Sequence, residues 1–410
     1  MTTPPPHSAP PRLDTRHFML RRCLDWDYKA PCIYQITLVL ADRASNALGR
    51  LVVDADGMEG GVFSPEAVRA HVEPSPQGRA VLAEWQNIGA HHPEVRPLFM
   101  QLMPDHVHFI VRVERQLDRP LGQVIAGFKA GSSKAATGRP GLWADGFQDT
   151  ILFHEGQLNA MFGYLRDNPR RQAVKRLAPQ LFRMRRDLAV DIPALPCRAQ
   201  DRVPGTEVPG FTAHFEAIGN DFLLKAPHLL QVQCSRSDFA YRRVLKAGKP
   251  GVKLARDAAG APICAMATPA FEERCATLLA AARHGAVLVS PCVSDGEREI
   301  ARRAFEAGAS LIALRNMGFS PLYKPGGRLF DQTANGKLLL LAPAAWPYST
   351  ADKPMTRSDA CAMNRIAQWI AGNGAADIRY RGMEPRDVER AARAAVQATP
   401  NTSKSRNPIP

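Results

Sequence analysis

The residues with the clearest capacity for chemistry are His106 and His108, set in the apolar stretch Leu98–Val113. Leu98–Met103 precede them and Phe109, Ile110 and Val111 follow, so the stretch reads as a buried strand. Side chains alternate faces along a strand, which points His106 and His108 the same way and sends Val107 into the other layer. Two imidazoles one strand repeat apart can both reach a single metal ion. The plainer reading is a pair of core or edge histidines beside a turn at Pro104-Asp105. Further along, Tyr164 and Asn168 stand one helical turn apart, so their side chains are neighbours if the segment is a helix. Taken alone, Tyr164 reads as a half-buried tyrosine at a helix edge.

These residues need elements to position them. Ile33–Leu40 reads as a first strand and Leu48–Val53 as a shorter second one. Ser64-Pro65-Glu66 and Ser75-Pro76 read as helix starts, a hydroxyl cap followed by proline in the first turn. The second of these helices runs towards Ile88, with Val81, Leu82 and Trp85 at helical spacing. In Leu121–Lys134, Leu121, Val124, Ile125 and Phe128 form one helical stripe, with Lys129 off it. Leu142–Phe153 reads as an aromatic-bearing turn and short strand. Glu155–Arg176 reads as one amphipathic helix with Leu158, Met161, Phe162 and Leu165 on its buried stripe and Tyr164 off it. Pro169 and a basic run follow Asn168: Arg170, Arg171, Lys175 and Arg176, then Arg183, Arg185 and Arg186. By itself that run reads as a solvated helix face.

With 410 residues, 45% of them hydrophobic, the chain is long enough for two domains with real cores. Its 53 Lys and Arg outnumber 39 Asp and Glu, a net charge of +14 that favours a polyanionic partner, nucleic acid first. No apolar run approaches bilayer-spanning length and the start has no signal-peptide core, which points away from a membrane. The eight cysteines form no C-x-x-C pair, which speaks against a zinc knuckle or disulfide framework and for a reducing cytoplasm. Residues 1–14 and 398–410 read as disordered tails.

Residues 187–215 are broken by Pro and Gly and read as a linker between a first domain, 15–186, and a second, 216–397. In the second, Ala286–Pro291, Ser310–Leu314 and Lys337–Ala342 read as strands and Glu297–Ala307 as an amphipathic helix. Strand–helix–strand at this spacing predicts a parallel sheet with right-handed crossovers. Ser290 and Asp295-Gly296 fall where a strand ends and a helix begins, the usual place for a ligand on such a sheet. Neither G-x-G-x-x-G nor a Walker A motif is present, and Pro325-Gly326-Gly327 reads as a turn.

The order of four blocks resembles the IS200-like tyrosine transposases, single-tyrosine HUH nucleases, and within them the REP-associated branch. The blocks are Met103-Pro104-Asp105-His106-Val107-His108, Phe128-Lys129, Leu142-Trp143 with Gly146-Phe147, and Tyr164-Leu165 with Asn168-Pro169, so the resemblance spans Ile33 to Arg176. It implies an α+β fold: a ferredoxin-like HUH nuclease domain, here followed by a second α/β domain similar to the Rossmann-like domains of the DNA-processing DprA group. It implies that His106, His108 and Asn168 bind a divalent metal, Mg²⁺ or Mn²⁺, and that Tyr164 is the nucleophile. The family often has Asn where this chain has Asp105, a departure that bears on strand geometry or on the surroundings of the site.

The chemistry so implied is cleavage of hairpin-bearing single-stranded DNA, leaving a 5′-phosphotyrosine and a free 3′-OH. A free tyrosine titrates near pH 10, so only about one in a thousand is phenolate at pH 7, a deficit of about 4 kcal/mol that the site must offset. Lys129, Arg170 and Arg171 are candidate phosphate contacts, and Phe128 is a further candidate DNA contact; Trp143 and Phe147 read either as stacking on unpaired bases or, at least as readily, as core. The resemblance leaves open a monomer or a homodimer, and with the charge it suits a cytoplasmic, nucleoid-associated protein. Two rival readings are a water-activating metallo-phosphoesterase, which leaves Tyr164 dispensable, and an inactive, domesticated transposase that only binds DNA. A third places the main function in the second domain, as a nucleotide sensor or single-strand binder.

Overall fold

Strand β1 (Cys32–Val39) shows how the first half is assembled. Tyr34, Ile36 and Leu38 alternate along it and are fully buried on one face, while Gln35 and Thr37 point to the other. The computed structural model describes residues 26–54, 65, 67–153, 155–194, 210–245, 252–349, 355–372 and 383–397. The tails read at 1–14 and 398–410 lie outside these residues. By internal contacts the chain divides into two units, Met1–Leu177 and Ala178–Pro410, in a mixed α/β architecture.

In the first unit, β1 is followed by β2 (Gly49–Asp54) and β3 (Arg69–Pro74), which pair as a separate ribbon. Then come α1 (Pro76–Gln86), α2 (Ile88–His91), β4 (Val95–Met103), β5 (His106–Val113), α3 (Leu121–Thr137), β6 (Gln148–Leu152), α4 (Glu155–Arg166) and α5 (Asn168–Leu177). Helix α1 starts as its sequence predicts: Ser75 accepts a hydrogen bond from Gly78 N–H and Pro76 takes the first turn. The helix start read at Ser64-Pro65-Glu66 falls largely outside the described residues, and Arg69–Pro74 beyond it is strand.

Four strands form an antiparallel sheet in the order β4-β5-β1-β6. Tyr34, Ile36 and Leu38 of β1 stand opposite Val111, Phe109 and Val107 of β5, and this face packs on α1 and α3 through Trp85 and Phe128. The stretch Leu98–Val113 is therefore a hairpin of two strands, turning at Pro104-Asp105, and not one strand. The expected helix Glu155–Arg176 is likewise two helices. Pro169 has no N–H to return to Leu165, and a residue before proline resists helical backbone, so the break falls at Asp167.

The second unit opens with α6 (Pro179–Phe182), β7 (Arg185–Ile192), β8 (Phe211–Gly219), β9 (Leu229–Gln231) and four short strands, β10 (Phe239–Tyr241), β11 (Arg243–Leu245), β12 (Val252–Leu254) and β13 (Cys264–Ala267). It continues with α7 (Pro269–Arg283), β14 (Val287–Ser290), α8 (Asp295–Glu306), β15 (Leu311–Leu314), α9 (Arg328–Ala334), β16 (Leu338–Pro343), α10 (Arg357–Ile370) and α11 (Pro385–Gln397). Six strands order as β7-β8-β16-β15-β14-β9, with β9, β14, β15 and β16 parallel as the strand–helix spacing predicts. β7 and β8 add an antiparallel edge. Buried on both faces, β14, β15 and β16 read as unbroken apolar runs. One face carries α10 and α11, the other α7 and α8. Of the stretch 187–215 read as a linker, Asp187–Ile192 belong to β7 and Phe211–Phe215 to β8, while 195–209 lie outside the described residues. Among the described residues no helix is long and apolar enough to cross a membrane.

Helix α8 is anchored through Glu299, which is 5% exposed. It accepts hydrogen bonds from Tyr241 Oη (2.8 Å) and from Arg302 and Arg303 one turn on; Arg303 also reaches Glu272 of α7. Burial works against ionisation of Glu299, but the arginine and tyrosine hydrogen bonds outweigh it and hold the carboxyl at about 2. The unfolded chain protonates near 4.5, so this stabilisation is complete above that value and is lost as pH falls through 2. Glu299→Gln is expected to destabilise the second unit by about 1.5–3 kcal/mol at pH 7. It should also flatten the loss of stability between these two values, both read from denaturant unfolding across pH.

Candidate active site

Because β5 alternates, His106 and His108 share the sheet face opposite the α1–α3 layer. Register places His108 between Thr37 of β1 and Gln101 of β4, and His106 between Val39 and Met103. The two rings meet nearly at right angles, with centroids 4.8 Å apart and their Nε2 atoms 3.1 Å apart. Each Nδ1 is engaged behind the pair. His106 Nδ1–H donates to Asp105 Oδ1 at 2.6 Å, and Asp105 Oδ2 accepts from Arg43 Nε at 2.7 Å. His108 Nδ1 shares a 2.8 Å hydrogen bond with Thr37 Oγ1, which also accepts from Gln35 Nε2 at 2.9 Å.

Electrostatics separates the two sides of this cluster. Burial, then the nearby His106, pushes the pKa of His108 down to about 3, so it is neutral at physiological pH. Burial also opposes the charge on Asp105. The hydrogen bond from His106, and after it Arg43, overcome that and hold the carboxyl well below the usual range. Neutral imidazole is the metal-binding form, and a carboxylate on Nδ1–H leaves the His106 Nε2 lone pair facing outward. Two nitrogens about 2.1 Å from one ion and about a right angle apart would be about 3 Å from each other, and the observed spacing fits that.

The remaining ligand positions are less complete. Among the described residues no three or more His, Cys, Asp or Glu gather in a group able to hold a metal. Asp105 is committed to His106 and Arg43. Asn168, 9% exposed, opens α5, which packs against β2, β3 and β4. Its Nδ2 is buried without a hydrogen-bond partner, and a half-turn of the amide presents the oxygen at the same position. Among the described residues, Gln172 Oε1, one turn on in the same helix, is also buried without a partner.

Helix α4 reaches the histidine face through aromatic contact. Phe99 stands opposite Ile110, on the face of His108, and Phe162 packs edge-on against it at 5.7 Å. Two residues on, Tyr164 is 44% exposed, and the Arg171 guanidinium carbon lies 5.4 Å from its ring centre. Asp167 at the helix break accepts from Arg170 (2.5 and 3.0 Å) and Arg171 (2.6 Å), which keeps both guanidiniums beside Tyr164's helix.

Four of the expected DNA contacts, Phe128, Lys129, Trp143 and Phe147, are engaged within the fold. Phe128 is 4% and Trp143 6% exposed; both belong to the core, as does Phe147, so none is available to stack on a base. Phe128 packs on Trp85 and Phe109, and Trp143 Nε1 donates to Ser132 Oγ at 2.9 Å. Lys129 donates to the carbonyls of Ala144 and Gly146 at 2.7 and 3.1 Å, where it fastens the loop carrying Trp143. Conversely, the roles of Gln35, Thr37 and Arg43 are not among the sequence expectations. Gln35-x-Thr37, two polar side chains on one face of an otherwise apolar strand, was the available signal.

No family profile and no curated protein matches the chain. A solved structure of a REP-associated tyrosine transposase bound to a REP hairpin is similar to it at 14% identity, over 37% of this chain and 73% of that one, with a TM-score of 0.27. That likeness is distant and partial.

The core placement of Trp143 is testable. Trp143→Ala is expected to cost about 3–5 kcal/mol of stability, as for a large aromatic removed from a packed core. A tryptophan stacking on DNA would show no such loss in thermal or denaturant unfolding.

Proposed function

We propose that the first unit is a metal-assisted nuclease and strand transferase acting on single-stranded DNA, with Tyr164 as nucleophile. The observation that carries this reading is the facing pair of imidazoles on the sheet side reached by the tyrosine helix, each with its far nitrogen occupied. His106, His108 and the Asn168 amide would hold Mg²⁺ or Mn²⁺, which when bound supplies positive charge to the phosphate under attack.

The chain's own residues do the rest. Tyr164, half-exposed at a helix edge, gives up its phenolic proton as Oη forms a bond to phosphorus. The P–O3′ bond breaks and the leaving oxygen takes a proton, which yields a 5′-phosphotyrosine and a free 3′-OH. Arg171 lies against the Tyr164 ring and is also paired with Asp167. Arg170 and Arg171 meet neighbouring phosphates. Because the covalent link keeps the energy of the phosphodiester, attack by a 3′-OH reverses the step and joins strands without ATP. The substrate on this reading is a strand with hairpin elements, as the sequence resemblance implies.

The Asp105–His106 pair favours one second reading, since a carboxylate on a histidine is also how a general base is oriented to activate water. Incubation with Mn²⁺ and labelled hairpin DNA, beside Tyr164→Phe, separates the two. A covalent adduct on a denaturing gel that vanishes in the variant supports the tyrosine nuclease; cleavage that persists moves the assignment to a water-activating phosphoesterase. Binding without cleavage by wild type points to a DNA-binding remnant.

Metal affinity tests the site separately from cleavage. Asp105→Asn is expected to weaken Mn²⁺ binding by about 10–100-fold, as loss of an orienting partner does, measured by calorimetry. His106→Ala with His108→Ala should abolish it.

A further inference from the structure

A cavity of about 1060 Å³ opens in the second unit, beyond the carboxyl ends of β9 and β14. Its walls are the loop after β9, the loop between β14 and α8, and the start of α10. Arg236, Arg274, Arg298 and Arg357 line it, and Glu297 is its one acidic lining residue. That carboxylate is already used: 3% exposed, it accepts from Val293 N–H at 2.7 Å and Ser294 N–H at 2.9 Å, closing the start of α8. Thr356 and Asp359 close the start of α10 in the same way. At both helix starts the cap residue's N–H and the third-position N–H are therefore engaged, and the positive charge offered to a ligand comes from the side chains.

Those side chains carry unmatched charge. Arg274 donates to Gln233 O and Arg298 to Cys292 O, both at 3.0 Å, and Arg298 also stands 3.5 Å from Asp295. Arg236 and Arg357 are exposed and make no hydrogen bond or ion pair among the described residues. Two exposed guanidinium groups on one cavity, neither with an anion partner among the described residues, suit phosphate, whose oxygens match their paired donors. Val293, Met355 and Ala360 supply an apolar wall. The volume is far more than one phosphate needs and lies at the upper end for small-molecule pockets.

We infer that this cavity binds a free nucleotide, with phosphates on Arg236 and Arg357 and the base against Met355 and Ala360. A single strand of nucleic acid is the weaker fit. Strand-binding grooves are paved with aromatic rings, and no Phe, Tyr or Trp lines this cavity. The assignment is independent of the chemistry proposed for the first unit.

The test is calorimetry on the full chain carrying Tyr164→Phe, so that no DNA is cut, at physiological salt. The probes are ATP, GTP, inorganic pyrophosphate and a ten-residue oligothymidylate, each against this protein and against Arg236→Ala/Arg357→Ala in the same background. The expected result is saturable binding of a nucleoside triphosphate, weakened about tenfold or more in the double variant, the loss of charge-assisted hydrogen bonds. Both arginines are exposed, so circular dichroism of the variant should match the parent. Absence of saturation by either triphosphate, equal affinity in the double variant, or a loss confined to the oligothymidylate would each overturn the proposal. Failure of DNA cleavage by Tyr164 leaves this readout untouched.

Discussion

Everything at the candidate site depends on the register of β5 against β1. With His108 opposite Thr37 and Phe109 opposite Ile36, the histidines share one face and the core residues the other. A slip of one residue would send both imidazoles into the core and bring Phe109 and Val111 to the site. The core therefore enforces the chemistry. Tyr34, Ile36, Leu38, Val107, Phe109 and Val111 are all fully buried, and several such side chains at about 1.5–3 kcal/mol each outweigh what any polar contact at the site contributes. Thr37 and Gln35 then act locally, on a ring whose position is already settled.

Burial at this face also sets the protonation states. His108 loses solvent and stays neutral, which suits a metal ligand and rules it out as a fixed cation for binding phosphate. Asp105 is buried too, yet charged, because His106 and Arg43 both contact it. The two buried groups thus respond in opposite ways to the same loss of water, and the difference is partners. Hydrogen bonds to a charged group contribute about 1.5–3 kcal/mol each, enough to reverse a desolvation penalty when two are made.

Much of this was legible before any fold was known. Strand alternation in His106-Val107-His108, the capped start of α1 and the parallel order of β14, β15 and β16 all follow from residue spacing. Phe128 is instructive because the stripe of Leu121, Val124 and Ile125 already assigned it to the core, against a role on DNA. Trp143 and Lys129 were harder, since Ser132 and the carbonyls of Ala144 and Gly146 meet them only through tertiary structure. The break at Asp167 was written in Pro169, but the apolar stripe masked it. β7 was hidden by the prolines and glycines that follow, although Leu188, Val190 and Ile192 alternate as an edge strand does. In the second unit the arginines of the cavity come from four separate segments, and no local pattern could have joined them.

The substitution of Asp for the expected Asn at position 105 has a consequence for charge. A carboxylate behind His106 makes that imidazole more electron-rich, but it also places a negative charge beside the histidine pair. Arg43 answers this. It pairs with the far oxygen of Asp105 at 2.6–2.7 Å, so the charge of the carboxylate is offset, while the hydrogen bond to His106 keeps its direction. Asn in the same place would accept one hydrogen bond with no charge and would need no Arg43. The two residues are thus a unit, with Arg43, 61% exposed at its side chain, the member whose value depends on its partner being charged. An arginine so exposed contributes little to stability on its own; what it does here is neutralise the carboxylate that orients the His106 ring.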